Sequence, residues 1–180
     1  ANPKVLIRLQ LMTTPDEMIA AVADGTVDLA IGFDFPPRPN VRQLAVAVAP
    51  LGLVVSTSHP FAGRSSVRLS ECFDYTFVVA DSTTVIRPHL EQILAQSGEG
   101  PSDFIETNSI EVMRHVVMAG DSVTFLTPFD IETDAAAGKM AFVPVQGLAR
   151  ETQRLVLLGP ERNPTALGSV LAEYFKAAMN

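Results

Sequence analysis

The segment VLIRLQLMTTPDEMIAAVADGTVDLAIG, residues 5–32, carries the pattern that decides the fold class. Apolar residues alternate through 5–11, as they do in a strand with one buried face. A second apolar run at 27–31 predicts a strand covered on both faces, because almost none of its side chains is polar.

A helix is predicted between these two strands. Thr14 and Glu17 have the spacing of a capping box, and Pro15 falls at the first helical position. Gly25 is placed to end the helix. Strand, helix and strand in this order predict a parallel βαβ unit.

Strands and helices continue to alternate along the chain, which predicts an α/β fold. The apolar stretch 44–55 is interrupted by Pro50 and Gly52, so it predicts two strands or one bent strand. Further strands are predicted at 77–80, 104–107, 122–126, 141–145 and 153–158. Further helices are predicted at 69–73, 86–96, 108–120, 129–137 and after 164.

The pattern also predicts how two of these helices begin or pack. Asn108 with Glu111 is a capping signature for the helix that Gly120 ends. Helical spacing predicts inward-facing residues in two groups, which are Ile110, Met113, Val116 and Val117, and Leu167, Val170, Leu171, Tyr174 and Phe175.

Two breaks divide the chain into candidate lobes. The Pro50–Gly52 break and the break at 144–147 are interpreted as two chain crossings. They predict a lobe I formed by 1–49 plus 149–180 and a lobe II formed by 50–148. Two lobes joined by two crossings would leave a cleft between them.

Composition restricts the function classes. The 180 residues are 47% hydrophobic and carry a net charge of -7, with 13 scattered basic residues, which argues against nucleic-acid binding by this segment. No apolar run approaches the roughly 18 residues of a membrane helix, and no signal-peptide pattern opens the sequence. Cys72, the single cysteine, excludes an internal disulfide and favours a cytoplasmic location with a buried, inert thiol.

Four motifs together resemble the effector-binding domain of LysR-type transcriptional regulators. They are TPDEMIAAVADGTVDLAIG at 14–32, LGLVVSTSHPFA at 51–62, NSIEVMRHVVMAGDSVTFLTP at 108–128 and DAAAGKMAFVPV at 134–145. The resemblance covers nearly the whole chain. It implies two Rossmann-like lobes joined by two crossing strands, as in type 2 periplasmic binding proteins, with a small-molecule inducer in the cleft.

The same resemblance implies partners. The domain would form a homo-oligomer, a dimer or a tetramer. DNA would be bound only through a winged helix-turn-helix module that is not among these 180 residues. The first strand and first helix of the family's first lobe also have no counterpart in this segment.

Ligands of open α/β sheets bind beyond the carboxyl ends of the strands, and this rule selects four loops. The candidate ligand-binding residues are Thr13, Thr14, Gly32, Phe33, Asp34, Asp81, Ser82, Thr83, Thr84, Val85, Thr127 and Pro128. Helix N-termini and hydroxyl groups suit an anionic group. The alternative is that these serine and threonine residues only cap helices.

The loop after 27–31 restricts the chemical class of the expected ligand. Gly32 would let backbone approach a ligand, and Phe33 would pack on it. Because Asp34 and Asp81 would repel a bare dianion, we expect a neutral, zwitterionic or partly aromatic ligand. In the alternative, Asp34 points to solvent and Asp81 caps its loop.

Two other functions stay open at this point. A transporter's solute-binding protein has the same architecture, and a small α/β enzyme could use Asp34 or Asp81 as a base. The sequence contains no GxGxxG, GxxxxGK or GxSxG motif, and its three histidines lack metal-ligand spacing. We therefore predict a non-enzymatic, ligand-sensing domain without metal or cofactor.

Overall fold

The computed structural model describes residues 6–12, 14–82, 84, 86–96, 103–162 and 165–178. Its helices are α1 Pro15–Ala23, α2 Leu69–Cys72, α3 Arg87–Gln96, α4 Ile110–Ala119, α5 Pro128–Ala136 and α6 Ala166–Ala178. Its strands are β1 Ala30–Phe33, β2 Val41–Pro50, β3 Gly52–Ser56, β4 Phe77–Ala80, β5 Phe104–Thr107, β6 Val123–Leu126, β7 Met140–Val143 and β8 Thr152–Pro160. The predicted α/β alternation is confirmed.

The strands form two sheets. Sheet A has the order β1-β8-β2 and is covered by α1 on one face and α6 on the other. Sheet B has the order β5-β4-β6-β3-β7, with cores on both faces. One core contains Leu90 and Ile93 of α3, and the other contains Met113 and Val117 of α4 with Ile131 of α5.

The chain passes between the sheets twice. Leu51 separates β2 from β3, so the apolar stretch broken by Pro50 and Gly52 is two strands. Residues 144–151 lead from β7 back to β8. The Leu51 N–H donates to the carbonyl oxygen of Glu151 at 2.9 Å, which joins the two crossings directly.

The prediction of a strand at 5–11 is wrong for its described residues. Residues 6–12 form no regular structure, and Leu6, Leu9 and Leu11 are about nine-tenths exposed or more. Apolar alternation alone does not make a strand, because its backbone groups need a partner strand. Without it the parallel βαβ unit is also wrong, since β1 pairs antiparallel with β8.

The second predicted strand lies further along the chain than 27–31. Residues 24–28 form a turn, in which the Thr26 N–H donates to the Asp24 carboxylate and the Val27 N–H to the carbonyl oxygen of Ala21. β1 therefore begins at Ala30 and includes Gly32 and Phe33. Its Ile31 is 56% exposed, so the strand is not covered on both faces.

Two details of the helices also differ from the predictions. The N-cap of α4 is Ser109, whose hydroxyl accepts the Val112 N–H at 3.3 Å, and not Asn108. Val170 and Tyr174 of α6 are 42% and 68% exposed, because α6 turns the small residues Gly168 and Ala172 towards sheet A. Ile110 is likewise 37% exposed, whereas Met113 and Val117 are buried as predicted.

Candidate functional site

The carboxyl ends of three strands lie side by side at one end of sheet B. β4 lies between β5 and β6 and is parallel to both, so the loops after Ala80, Thr107 and Leu126 emerge on the same side. Gly52 pairs with Leu126, so β3, which follows the crossing from sheet A, begins at this same end of sheet B. Two of the four predicted loops, 81–85 and 127–128, are thus brought together beside the crossings.

Sheet A places the end of β1 next to the same crossings. Phe33 pairs with Leu155, close to the start of β8, where Thr152 pairs with Pro50. The loop that begins at Asp34 therefore leaves sheet A on the side that faces the crossings. The carboxyl end of β1 thus lies on the side of the crossings, although β1 and β8 are antiparallel.

The loop after β4 is a compact turn. Both the N–H and the hydroxyl of Thr84 donate to the carbonyl oxygen of Asp81, at 3.1 and 2.8 Å. The Asp81 N–H is bound to the carbonyl oxygen of Thr107. Ser82 is exposed and Thr84 half-buried, while Thr83 and Val85 lie outside the described residues. Of the described residues of this loop, Ser82 carries an exposed hydroxyl group.

Arg87 clamps this loop from the first turn of α3. Its guanidinium donates to the carbonyl oxygen of Ala80 and to Glu106, each at 2.9 Å, and to Glu91 at 2.8 Å. Hydrogen bonds to the two carboxylates raise its pKa further, so the cation is permanent. The clamp fixes β4, β5 and α3 together around the loop. No local sequence pattern predicts this role of Arg87.

Thr127 is occupied as a helix cap. Its side chain is fully buried, and both its N–H and its hydroxyl donate to Oδ2 of Asp130 at 2.8 Å. Burial raises the pKa of Asp130, and the two bonds from Thr127 oppose that rise. Capping thus accounts for the side chain of Thr127, and Pro128 follows as the first residue of α5.

Thr14 is also a cap. Its hydroxyl accepts the Glu17 N–H at 3.3 Å, and the Glu17 carboxylate accepts the Thr14 N–H at 3.4 Å, so the predicted capping box is confirmed. Thr13 lies outside the described residues.

Gly32 makes room for a neighbouring side chain. A Cβ at this position would lie 2.7 Å from Cζ of Phe35, which is 3% exposed. The space in front of Gly32 is therefore filled by the protein itself. A close approach of the Gly32 Cα to a ligand was the sequence-based interpretation, and the packing of Phe35 supplies a structural reason for the glycine instead.

Asp34 is bound to sheet A. Its backbone has a φ of 49°, a left-handed conformation that aspartate tolerates better than most residues. Its Oδ1 accepts the Arg154 N–H at 3.1 Å. The carboxylate thus caps the end of the β1–β8 pairing while one of its two oxygens is left over for another donor.

Residues far apart in sequence form two polar contacts near the crossings. His89 of α3 lies with its Nε2 2.9 Å from Oε2 of Glu151. The guanidinium of Arg154 reaches Oε1 of Gln43 at 2.8 Å on the exposed side of β2. No local sequence pattern marks either contact, because each joins different elements.

The described part of the chain contains no group of three or more His, Cys, Asp or Glu side chains arranged to hold a metal ion. Cys72 is fully buried, and burial raises the pKa of its thiol to about 12, which makes it unreactive. None of the described helices combines the length and apolar character that crossing a bilayer requires.

The family model and the similar proteins agree on one family. The model of the LysR substrate binding domain matches residues 1–180. A probable RuBisCO transcriptional regulator of Emiliania huxleyi is 27% identical over 166 residues, which are 89% of this chain and 52% of the relative. The chain thus spans about half the length of such relatives.

Solved structures show the same fold. The regulatory domain of Synechocystis PCC6803 CcmR in complex with 2-PG has a TM-score of 0.67 at 14% identity, covering 93% of this chain and 80% of the other. The effector-binding domain of QuiR in complex with shikimate has a TM-score of 0.66 at 17% identity, covering 91% and 76%. At these identities the likeness concerns the fold, which is that of type 2 periplasmic binding proteins.

Proposed function

The chain belongs to the LysR substrate binding domain family, and from this premise we propose that it senses a small-molecule effector bound between its two sheets. The family consists of transcriptional regulators and not of enzymes. In this proposal the domain performs no chemistry. Effector binding shifts the relative populations of domain geometries and so regulates an attached DNA-binding module.

One observation carries the proposal. The loops after β4 and β6 and the loop after β1 all lie next to the two crossings, although they come from different sheets. A cleft between a lobe I of 1–49 plus 149–180 and a lobe II of 50–148 would be lined by these loops. This is the position where open α/β structures bind ligands.

We propose different roles for the candidate residues of the cleft. Thr14 and Thr127 cap helices and Phe35 packs against Gly32, which supports a structural role for these positions. Ser82, Phe33 and the second oxygen of Asp34 are the groups that we propose contact the effector. Pro128, Thr13, Thr83 and Val85 stay candidate residues.

We keep the proposal that the effector is neutral, zwitterionic or partly aromatic. Asp34 and Asp81 would repel a dianion. The Arg87 guanidinium is already paired with Glu91 and Glu106. Thermal-shift measurements should show stabilisation by amines, amino acids or aromatic compounds. Stabilisation by dicarboxylates alone would disprove this choice of ligand and leave the sensing function intact.

We also propose homo-oligomerisation through the β5 edge. β5 is an end strand of sheet B, and its Phe104 and Ile105 are 58% and 41% exposed. Ile110 and Val112 of α4, a helix that contacts β5, are 37% and 45% exposed. We call these four residues the β5 patch. An apolar patch beside an open strand edge suits a second copy of the chain. The single, inert Cys72 supports the further proposal of a cytoplasmic location.

A further inference from the structure

The contact between His89 and Glu151 joins an element of sheet B to the chain crossing. His89 lies in the first turn of α3, and its neighbour Leu90 packs into the core of sheet B. Glu151 immediately precedes β8 of sheet A. A link between these side chains therefore spans the boundary between the two proposed lobes.

Glu151 is held rigidly by its main chain. Its carbonyl oxygen accepts the Leu51 N–H and its own N–H donates to the carbonyl oxygen of Leu148, both at 2.9 Å. Leu51 and Leu148 lie in the same core as Leu90. The backbone of Glu151 is thus hydrogen-bonded to both crossings. These bonds fix the position from which its carboxylate contacts His89 of α3.

The surroundings of the His89 ring favour its contact with Glu151. Its Nε2 is shielded from solvent, and Oε2 of Glu151 lies 2.9 Å away without the alignment of a regular hydrogen bond. A shielded ring nitrogen that moved away from the carboxylate would lose this oxygen as a polar neighbour. Movement of α3 relative to the crossing is therefore disfavoured while the pair is intact.

We infer that His89 and Glu151 are positioning residues, which tie the described part of the loop after β4 to the crossing and so set the geometry of the effector site. The loop lies immediately before α3, and the Arg87 clamp makes the loop and the first turn of the helix one unit. This inference rests on the proposed function, because it concerns the regulation of that site.

The chain offers a matched control. His115 and Glu111 also form a histidine–glutamate pair, 3.9 Å apart and well exposed, but both belong to α4 and join no second element. His115→Gln removes a histidine partner of the same kind without touching the crossings.

Distances between spin labels on Ser169→Cys in α6 and Glu132→Cys in α5 report the relation of the two sheets. Both positions are exposed, and buried Cys72 stays unlabelled. We expect His89→Gln and Glu151→Gln each to broaden the distance distribution in the full chain, and the double variant to broaden it no further. The melting temperature should change by less than about 3 °C, and His115→Gln should match the unsubstituted protein.

Distributions of the His89 and Glu151 variants that coincide with the unsubstituted protein would overturn the inference. So would equal broadening by His115→Gln. With phenylalanine or benzylamine as probe, any compound that binds should lose roughly threefold to tenfold in affinity on His89→Gln. If neither probe nor any compound of a metabolite panel binds the unsubstituted protein, the proposed function fails, while the label distances still decide the role of His89.

Discussion

Asp34 and Arg154 are joined by two hydrogen bonds that run in opposite directions. The Asp34 N–H donates to the carbonyl oxygen of Arg154 at 2.9 Å, and the Arg154 N–H donates to Oδ1 of Asp34 at 3.1 Å. The side chain of Asp34 thereby replaces the backbone acceptor that a longer β1 would supply. The start of the loop is fixed to β8, and with it the position of Phe33.

Replacing Asp34 by alanine should destabilise the chain. Alanine removes the acceptor for the Arg154 N–H and fits poorly at a φ of 49°, so we expect the free energy of unfolding to fall by about 1–2 kcal/mol. Asp34→Asn keeps an acceptor oxygen and tolerates this backbone, so its effect should be less than about half as large. Urea unfolding measures both variants, and equal losses would contradict the hydrogen-bonded role of Asp34.

Gly32→Ala should destabilise through a clash with Phe35. The new methyl group would lie 2.7 Å from a ring that is almost fully buried, and overpacking of this kind costs about 1–3 kcal/mol. Phe35→Leu should relieve part of that cost in the double variant. Gly63→Ala is the control, because no atom lies within 4 Å of its added Cβ. Chemical unfolding of Gly32→Ala, Phe35→Leu, their double variant and Gly63→Ala should show a loss for Gly32→Ala that Gly63→Ala lacks.

His59 should make the stability depend on pH. Burial among Phe61 and Tyr75 lowers the pKa of His59 below its usual 6.5, although Asp121 opposes this shift. Its Nδ1 accepts the Phe61 N–H at 3.1 Å, so the folded chain holds the neutral ring. The unfolded chain binds a proton more readily, so this stabilisation is present above about pH 6.5 and is lost as the pH falls.

His59→Asn tests this sign, because the asparagine oxygen can still accept the Phe61 N–H. Melting curves between pH 8 and 5 should show a weaker acid destabilisation in His59→Asn than in the unsubstituted chain. His115→Gln, at a well-exposed position, should keep the original slope. An unchanged slope in His59→Asn would assign the acid sensitivity to other groups.

Charge in the β5 patch should weaken self-association. Ile105→Lys places a cation at an open strand edge, which natural sheets use to prevent edge-to-edge pairing. We expect light scattering after size exclusion to give a smaller mass for Ile105→Lys than for the unsubstituted chain. Val170→Lys on α6 is a control with the same degree of exposure, at 42% against 41%. A mass that falls only for Val170→Lys would move the interface to α6.

The order of elements could be predicted from the sequence because it depends on local patterns. Apolar periodicity, Pro50 with Gly52 and the capping box at Thr14 each act within a few residues, and the structure confirms them. The strand predicted at 5–11 failed because a strand also depends on a partner that local alternation does not reveal.

The site was less predictable because its contacts are long-range. The role of Gly32 depends on where the ring of Phe35 folds back, and the role of Asp34 on the register of β8. His89 meets Glu151 only after sheet B is assembled. Local sequence patterns select the candidate loops. Which of their side chains are already bound within the protein depends on tertiary contacts.

The central claim is that a small molecule binds beside the loop after β4. Native mass spectrometry of the chain incubated with a metabolite extract tests it most directly. We predict one retained small molecule per chain, lost in Ser82→Tyr, which adds a bulky ring to the loop, and kept in Ser65→Tyr, which changes an exposed serine outside the candidate site. No retained molecule, or equal retention by both variants, would contradict the account.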